Sequence, residues 1–241
     1  MACTAPDTTG VRMIGHGGSG AGSDLPMNSR EALLGGLQQG FDGIEMDLQL
    51  TADGILVAYH DDELSGVAPC SGLVNSRTWT ELRQCSQFSR PLVRVDSLLF
   101  EAQAQYPSAE FTLDVKLFAA GDWWPYMEAF SDAIIALDQG LNAPLLIECQ
   151  TTDFLKLMRR KAPDASLFYY ATDPENGILE AKDLGCTGIT MTNGNITAAQ
   201  MEQAHAEGLS VTLFGVDGNW GLRRAVAKKP DRIQSDLAVH K

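Results

Sequence analysis

Short apolar, β-rich runs recur along this chain at residues 11–15, 43–48, 55–60, 110–116, 144–149, 166–171, 188–192, 211–216 and 231–235. Between most of them apolar positions repeat with the spacing of an amphipathic helix. These stretches run from Ser29 to Gln39, Val95 to Gln105, Trp124 to Leu137, Thr152 to Lys161, Pro174 to Leu184, Ala198 to Glu207 and Gly221 to Ala227. Strand and helix in alternation predict a parallel sheet with helical crossovers. Eight or nine strands favour closure of that sheet into a barrel.

Nine runs are one more than an eight-stranded barrel needs, so one must be short, doubled or outside it. The link from Asp47 to Ile55 is too short for a helix, although a parallel neighbour requires a crossover, so Thr51-Ala52-Asp53-Gly54 reads as the end of an extended return loop. The expected fold is α/β, a single-domain (β/α)8 TIM-type barrel over residues 11–241, with no helix between the second and third strands and a flexible segment at residues 1–10. Residues 61–92, rich in Ser, Gly, Cys and Arg, read as an excursion over the barrel mouth.

Composition agrees with one barrel-sized domain: 241 residues, 44% hydrophobic and 20% charged, with a mean hydropathy of -0.09. A formal net charge of -13 argues against a nucleic-acid surface or docking on an anionic membrane. No apolar run approaches the roughly 18 residues of a spanning helix, so stable membrane insertion is not expected. Cys149 and Cys186 lie in or beside apolar runs and read as buried small hydrophobes. Cys70 and Cys85 flank a loop-like segment and could form a disulfide if the protein is exported, though spacing does not decide it. Met1-Ala2-Cys3, followed by polar residues to Gly10, looks like the mature start of a bacterial lipoprotein with a lipid anchor at Cys3; a disordered cytosolic N-terminus is the alternative. The sequence leaves a cell-envelope and a cytoplasmic location equally open.

The chemistry gathers at strand ends, where a parallel sheet presents side chains to a ligand. Ile14-Gly15-His16-Gly17-Gly18 and Tyr59-His60-Asp61 each carry a histidine. In Gly43-Ile44-Glu45-Met46-Asp47, Glu45 and Asp47 share a strand face with Cα atoms roughly 6.6–6.8 Å apart, so their carboxylates can close on one cation. Phe111-Thr112-Leu113-Asp114-Val115-Lys116 repeats the arrangement, adding a third acid and a fixed positive charge. Three carboxylates in one site repel unless one takes up a proton or a metal neutralises them, and all-oxygen ligation suits Ca²⁺ or Mg²⁺ better than Zn²⁺. Glu148 ends its own strand and is a further candidate for the polar ring, and Trp220 follows the last long strand and could line the mouth. His205 reads as a surface residue, and His240 lies in the tail. The glycines around His16 lack the lysine and spacing of a nucleotide phosphate loop.

His16 with its following glycine, Asn28-Ser29-Arg30-Glu31-Ala32, Gly43-Ile44-Glu45-Met46-Asp47-Leu48, Thr51-Ala52-Asp53-Gly54 and His60-Asp61 stand in an order and spacing that resembles the glycerophosphodiester phosphodiesterases. Asp114-Val115-Lys116, Ala204-His205-Ala206-Glu207-Gly208-Leu209-Ser210-Val211 and Ile233-Gln234-Ser235-Asp236 continue the likeness over roughly residues 12–238. The resemblance implies metal-dependent hydrolysis of a small-molecule glycerophosphodiester to glycerol 3-phosphate and an alcohol. His16 and His60 would be the catalytic acid and base, Glu45, Asp47 and Asp114 would hold Ca²⁺ or Mg²⁺, and Lys116 would bind phosphate. One departure stands out: the family's first motif reads His-Arg-Gly, its arginine is expected to hold the phosphate, and that position here is Gly17. Phosphate binding then falls to the metal, Lys116, backbone N–H groups at Gly17 and Gly18, or another cation. Related barrel phospholipase or sphingomyelinase D-like activity, and a noncatalytic phosphate-ligand binder, are the alternatives.

Overall fold

The computed structural model describes residues 6–20, 22–87 and 90–237. The proposed anchor residue Cys3, with residues 1–5 of the expected flexible segment, and His240 lie outside the described residues. Eight parallel strands form the barrel: β1 (Arg12–Gly15), β2 (Gly43–Leu50), β3 (Glu110–Val115), β4 (Leu145–Cys149), β5 (Ser166–Tyr170), β6 (Gly188–Thr192), β7 (Ser210–Val216) and β8 (Arg232–Ser235). Each pairs with the next in parallel, and β1 closes the ring by pairing with both β8 and β2. Crossover helices return the chain to the starting end of the barrel, among them Trp123–Gly140, Thr152–Lys161, Pro174–Asp183, Ala198–Ala206 and Gly218–Val226. Along β2 the alternation is explicit: Ile44, Met46 and Leu48 join the apolar layer under the helices, while Glu45, Asp47 and Gln49 take the opposite face.

Helix starts follow local chemistry. Ser29 caps helix Arg30–Gln38 by accepting from the Ala32 N–H, and Thr197 with Gln200 forms a reciprocal capping box ahead of Ala198. Among the described residues no helix is long and apolar enough to cross a membrane.

The surplus ninth run is Leu56–Ala58, and it is not a barrel strand. It pairs antiparallel with β2, Leu48 opposite Ala58 and Leu50 opposite Leu56, so no crossover is needed and the Asp53-Gly54 turn suffices. Gly54 takes φ +79 there, a conformation open to glycine at little cost. No helix separates the second and third strands of the chain, as expected, but the expectation of an extended return loop to a parallel neighbour is corrected to a hairpin. The excursion that follows has its own small core of Val57, Tyr59, Leu64, Val74, Leu82, Cys85 and Leu92. Cys70 and Cys85 are joined by a disulfide within it. Cys149 and Cys186 are free and buried.

Candidate active site

The register of three neighbouring strands builds the site. Asp47 on β2 stands opposite Asp114 on β3, and Asp114 stands opposite Glu148 on β4, so three acids form a row near the carboxyl ends of the strands. Glu45 lies two residues earlier on the same face of β2. His16 follows β1, His60 follows the hairpin arm and Lys116 follows β3. All seven side chains line one cavity of about 200 Å³, together with Tyr170, Thr190, Phe214 and Gln234. The two histidines, far apart in sequence, therefore share a single mouth.

Burial raises the proton affinity of these acids. Glu45 is held well above its usual range by burial first and by the neighbouring Asp47 charge second, although the Gly17 N–H donates to its Oε2 at 2.8 Å. Asp114 is raised by burial, with Lys116 opposing. Glu148 is raised to about 7, again by burial first, while Thr190 Oγ1 (2.7 Å) and Gln234 Nε2 (3.0 Å) donate to it and hold it down. Lys116 is pulled down by burial, but Asp114 at 2.6 Å and Asp47 at 3.2 Å outweigh this and keep the ammonium charged. His16 has the same balance: burial disfavours the imidazolium, yet Asp236, Glu45 and Asp47 together raise its pKa to about 9. Its Nδ1 lies 2.8 Å from Asp236 Oδ1, which turns Nε2 toward Glu45 Oε2 at 4.0 Å.

Oxygens of Glu45, Asp114 and Glu148 lie within 4.8 Å of one another. Buried, crowded, oxygen-only donors with raised proton affinity fit a hard divalent cation. This trio differs from the expected Glu45, Asp47 and Asp114. Asp47 remains in the cavity but is engaged elsewhere: Asn28 Nδ2 donates to its Oδ2 at 2.6 Å, and Lys116 pairs with its Oδ1. Asn28 sits at φ +64 and also accepts from the Asp47 N–H at 3.0 Å, a two-way clamp.

Two of the expected substrate contacts fall elsewhere. Trp220 is not among the cavity-lining residues; it is 70% exposed on helix Gly218–Val226, with the Arg224 guanidinium 4.6 Å from its ring centroid. Gly17 contributes its N–H to Glu45 rather than to the cavity wall. At φ +55, a Cβ there would meet Met27 Cβ and Cε at 2.6 Å, so the thioether fills the room a larger side chain would need. Sequence reasoning did not single out Asn28, Asp236, Thr190 or Gln234 for roles in the site. The first, second and fourth stand inside motifs that carry the family likeness. Thr190 has no local signal, and neither does the edge-to-face pair Tyr170–Phe214, with ring centroids 5.1 Å apart.

A model of the glycerophosphoryl diester phosphodiesterase family matches residues 19–239. The chain belongs to this family. The matched range begins just past His16 and Gly17, where the chain departs from the family's usual motif. A glycerophosphodiester phosphodiesterase from Bacillus altitudinis is 41% identical over 61 residues, which is 25% of this chain and 25% of that protein. Glycerophosphodiester phosphodiesterase 1 of Bos taurus is 30% identical over 86 residues, 36% of this chain and 25% of that one. The aligned segments thus span about a quarter of those curated relatives' length. Solved structures extend the likeness of fold to nearly the whole chain. A phosphodiesterase from Oleispira antarctica, in complex with the product sn-glycerol-3-phosphate, superposes with a TM-score of 0.81 at 22% identity, covering 97% of this chain and 94% of that one. A glycerophosphodiester phosphodiesterase from Parabacteroides distasonis gives 0.79 at 20% identity, with 95% and 94% covered.

Proposed function

We propose that this chain hydrolyses glycerophosphodiesters to glycerol 3-phosphate and an alcohol, with His16 and His60 dividing the proton work. The observation that carries the reading is the single cavity lined by both imidazoles, four carboxylates and Lys116. His16, with a pKa raised to about 9, carries a proton at neutral pH and is suited to giving it to the departing alcohol oxygen. His60, on the rim, takes the proton of the nucleophile, a neighbouring hydroxyl of the substrate whose attack expels the alcohol and leaves a cyclic phosphate that water then opens. Lys116 stays cationic beside Asp114 and Asp47 and faces the charge that develops on the phosphoryl group. Asp236 keeps His16 in one orientation through Nδ1. Ca²⁺ or Mg²⁺ held by Glu45, Asp114 and Glu148, with Asp47 beside them, would supply positive charge to the nonbridging phosphate oxygens.

Gly17, with Met27 packed against it, favours one second reading: a chain that binds a phosphate ligand without turning it over. Release of choline from glycerophosphocholine, measured with Ca²⁺, with Mg²⁺ and with EDTA, separates the two. Turnover that needs the cation and falls at least roughly 10²-fold in both His16→Ala and His60→Ala supports hydrolysis, since positioned acid–base groups contribute about 10²–10⁴. Near wild-type turnover in either variant refutes the two-histidine assignment. Binding of glycerol phosphate with no release from any diester favours the binder.

A further inference from the structure

His60 is the least anchored member of the cavity. Strand Leu56–Ala58 ends two residues before it, and among the described residues the His60 backbone N–H and carbonyl make no backbone hydrogen bond. Its side chain is 60% exposed, and its hydrogen-bond partner, Asp61, is 56% exposed. A proton carrier in this state would wander over the rim unless its backbone were fixed from below.

Gln49 supplies that fixation. It is the third inward-facing residue of β2 after Glu45 and Asp47, and it is fully buried. Its Nε2 donates to the Tyr59 carbonyl at 3.1 Å and to the Asp61 carbonyl at 2.6 Å, the two carbonyls that flank His60. The orientation of the amide is forced, because both facing groups are acceptors and only the nitrogen can satisfy them. The Tyr59 N–H, donating to the Asp47 carbonyl at 3.0 Å, ties the same segment to the strand that carries the acids.

One further feature separates this arrangement from ordinary packing. Gln49 Oε1 is buried and has no hydrogen-bond partner among the described residues. A leucine or methionine of similar size would avoid that desolvation cost but would leave the Tyr59 and Asp61 carbonyls without their donors. The amide supplies two donors directed at the carbonyls of Tyr59 and Asp61, the residues on either side of His60. We propose that Gln49 is a positioning residue that sets the reach of His60 into the cavity; this rests on the hydrolytic reading above.

The test uses the full chain and Gln49→Leu, which keeps the volume and removes both donors. With glycerophosphocholine and Ca²⁺ or Mg²⁺, kcat should fall roughly 10²-fold, the loss expected for about 1 Å of misplacement, while KM stays within about two-fold. In ¹H–¹⁵N spectra of the imidazoles, the His60 signals should shift or broaden and those of His16 should not. Unchanged kcat, an unshifted His60, or equal shifts at both histidines would overturn the proposal. A wild-type chain with no turnover would sink the hydrolytic reading, yet the imidazole spectra would still decide whether Gln49 holds His60. If Gln49→Leu does not fold, Gln49→Glu, equal in length and with one donor when protonated, is examined in the same way. Failure of both to fold would make Gln49 a residue of the barrel's stability and overturn the assignment.

Discussion

Glu148→Gln tests the electrostatic reading of the cavity through stability alone. Glu148 is buried, and its proton is held until about pH 7 against an ordinary value of 4.5. A carboxylic acid whose folded pKa is raised binds more protons in the native than in the unfolded state between those two values, so stability is greatest below about pH 4.5 and declines as pH rises through 7. At about 1.36 kcal/mol per pH unit, the interval corresponds to roughly 3 kcal/mol lost by pH 8. Glutamine removes the ionisation but keeps an acceptor for Thr190, and its amide nitrogen faces the Gln234 amide, a mismatch costing about 1 kcal/mol. The variant should therefore lie about 1 kcal/mol below the wild type near pH 4.5 and exceed it by roughly 2 kcal/mol at pH 8, there a rise in Tm of roughly 4–8 °C for a chain of this size. Thermal unfolding followed by circular dichroism in EDTA, from pH 4.5 to 8.5, gives both curves. Saturating Ca²⁺ at pH 8 should shrink or invert the gap, because the cation stabilises only the protein that keeps its carboxylate. Parallel curves across the whole range would refute the claim that burial of Glu148 opposes its charge.

Gly17→Arg alone should lower stability by roughly 1–3 kcal/mol in urea, since its Cβ would overlap Met27, and Gly17→Arg combined with Met27→Gly should recover much of the loss; a single variant as stable as the wild type would contradict this geometry. Reduction of the disulfide, or Cys70→Ser with Cys85→Ser, opens a loop closed over a sequence separation of 15 and should cost about 3 kcal/mol in the chain-entropy picture. Limited proteolysis should then cut first within residues 61–92 while the barrel stays intact, and unchanged cleavage there would show that the excursion does not depend on the bond.

The barrel was legible because alternation of strand and helix is a local property, written in hydrophobic period and helix caps such as Ser29 and Thr197. Strand direction is not local in that sense. The run at 55–60 has the same β-rich composition as the barrel strands, and only the tight turn at Asp53-Gly54 marks it as an antiparallel arm. Both histidines and the acids were visible as strand-end residues. Which acids crowd together was not, because the alignment of Asp47, Asp114 and Glu148 is set by how three strands slide against one another under their helices. Asp236 reaches His16 across 220 residues of sequence, and no spacing rule connects them.

Charge explains why the departure at Gly17 bears on more than one residue. Glu45, Asp47, Asp114 and Glu148 face Lys116 and the two histidines in one cavity, and Lys116 is already paired with two of the four acids. With all four acids ionised, a diester anion would meet a net negative wall, in a molecule that itself carries a formal charge of -13. A guanidinium at position 17 would offset part of that repulsion, but Met27 occupies the space. Two routes remain to admit an anion: protonation, which the raised affinities of Glu45 and Glu148 favour, or a divalent cation, which the crowded oxygens of Glu45, Asp114 and Glu148 fit. Protonation of Glu148 fades above about pH 7. If the chain takes a phosphodiester as proposed, affinity for it at neutral and higher pH would therefore rest on a cation to a greater degree than it would with an arginine in the first motif.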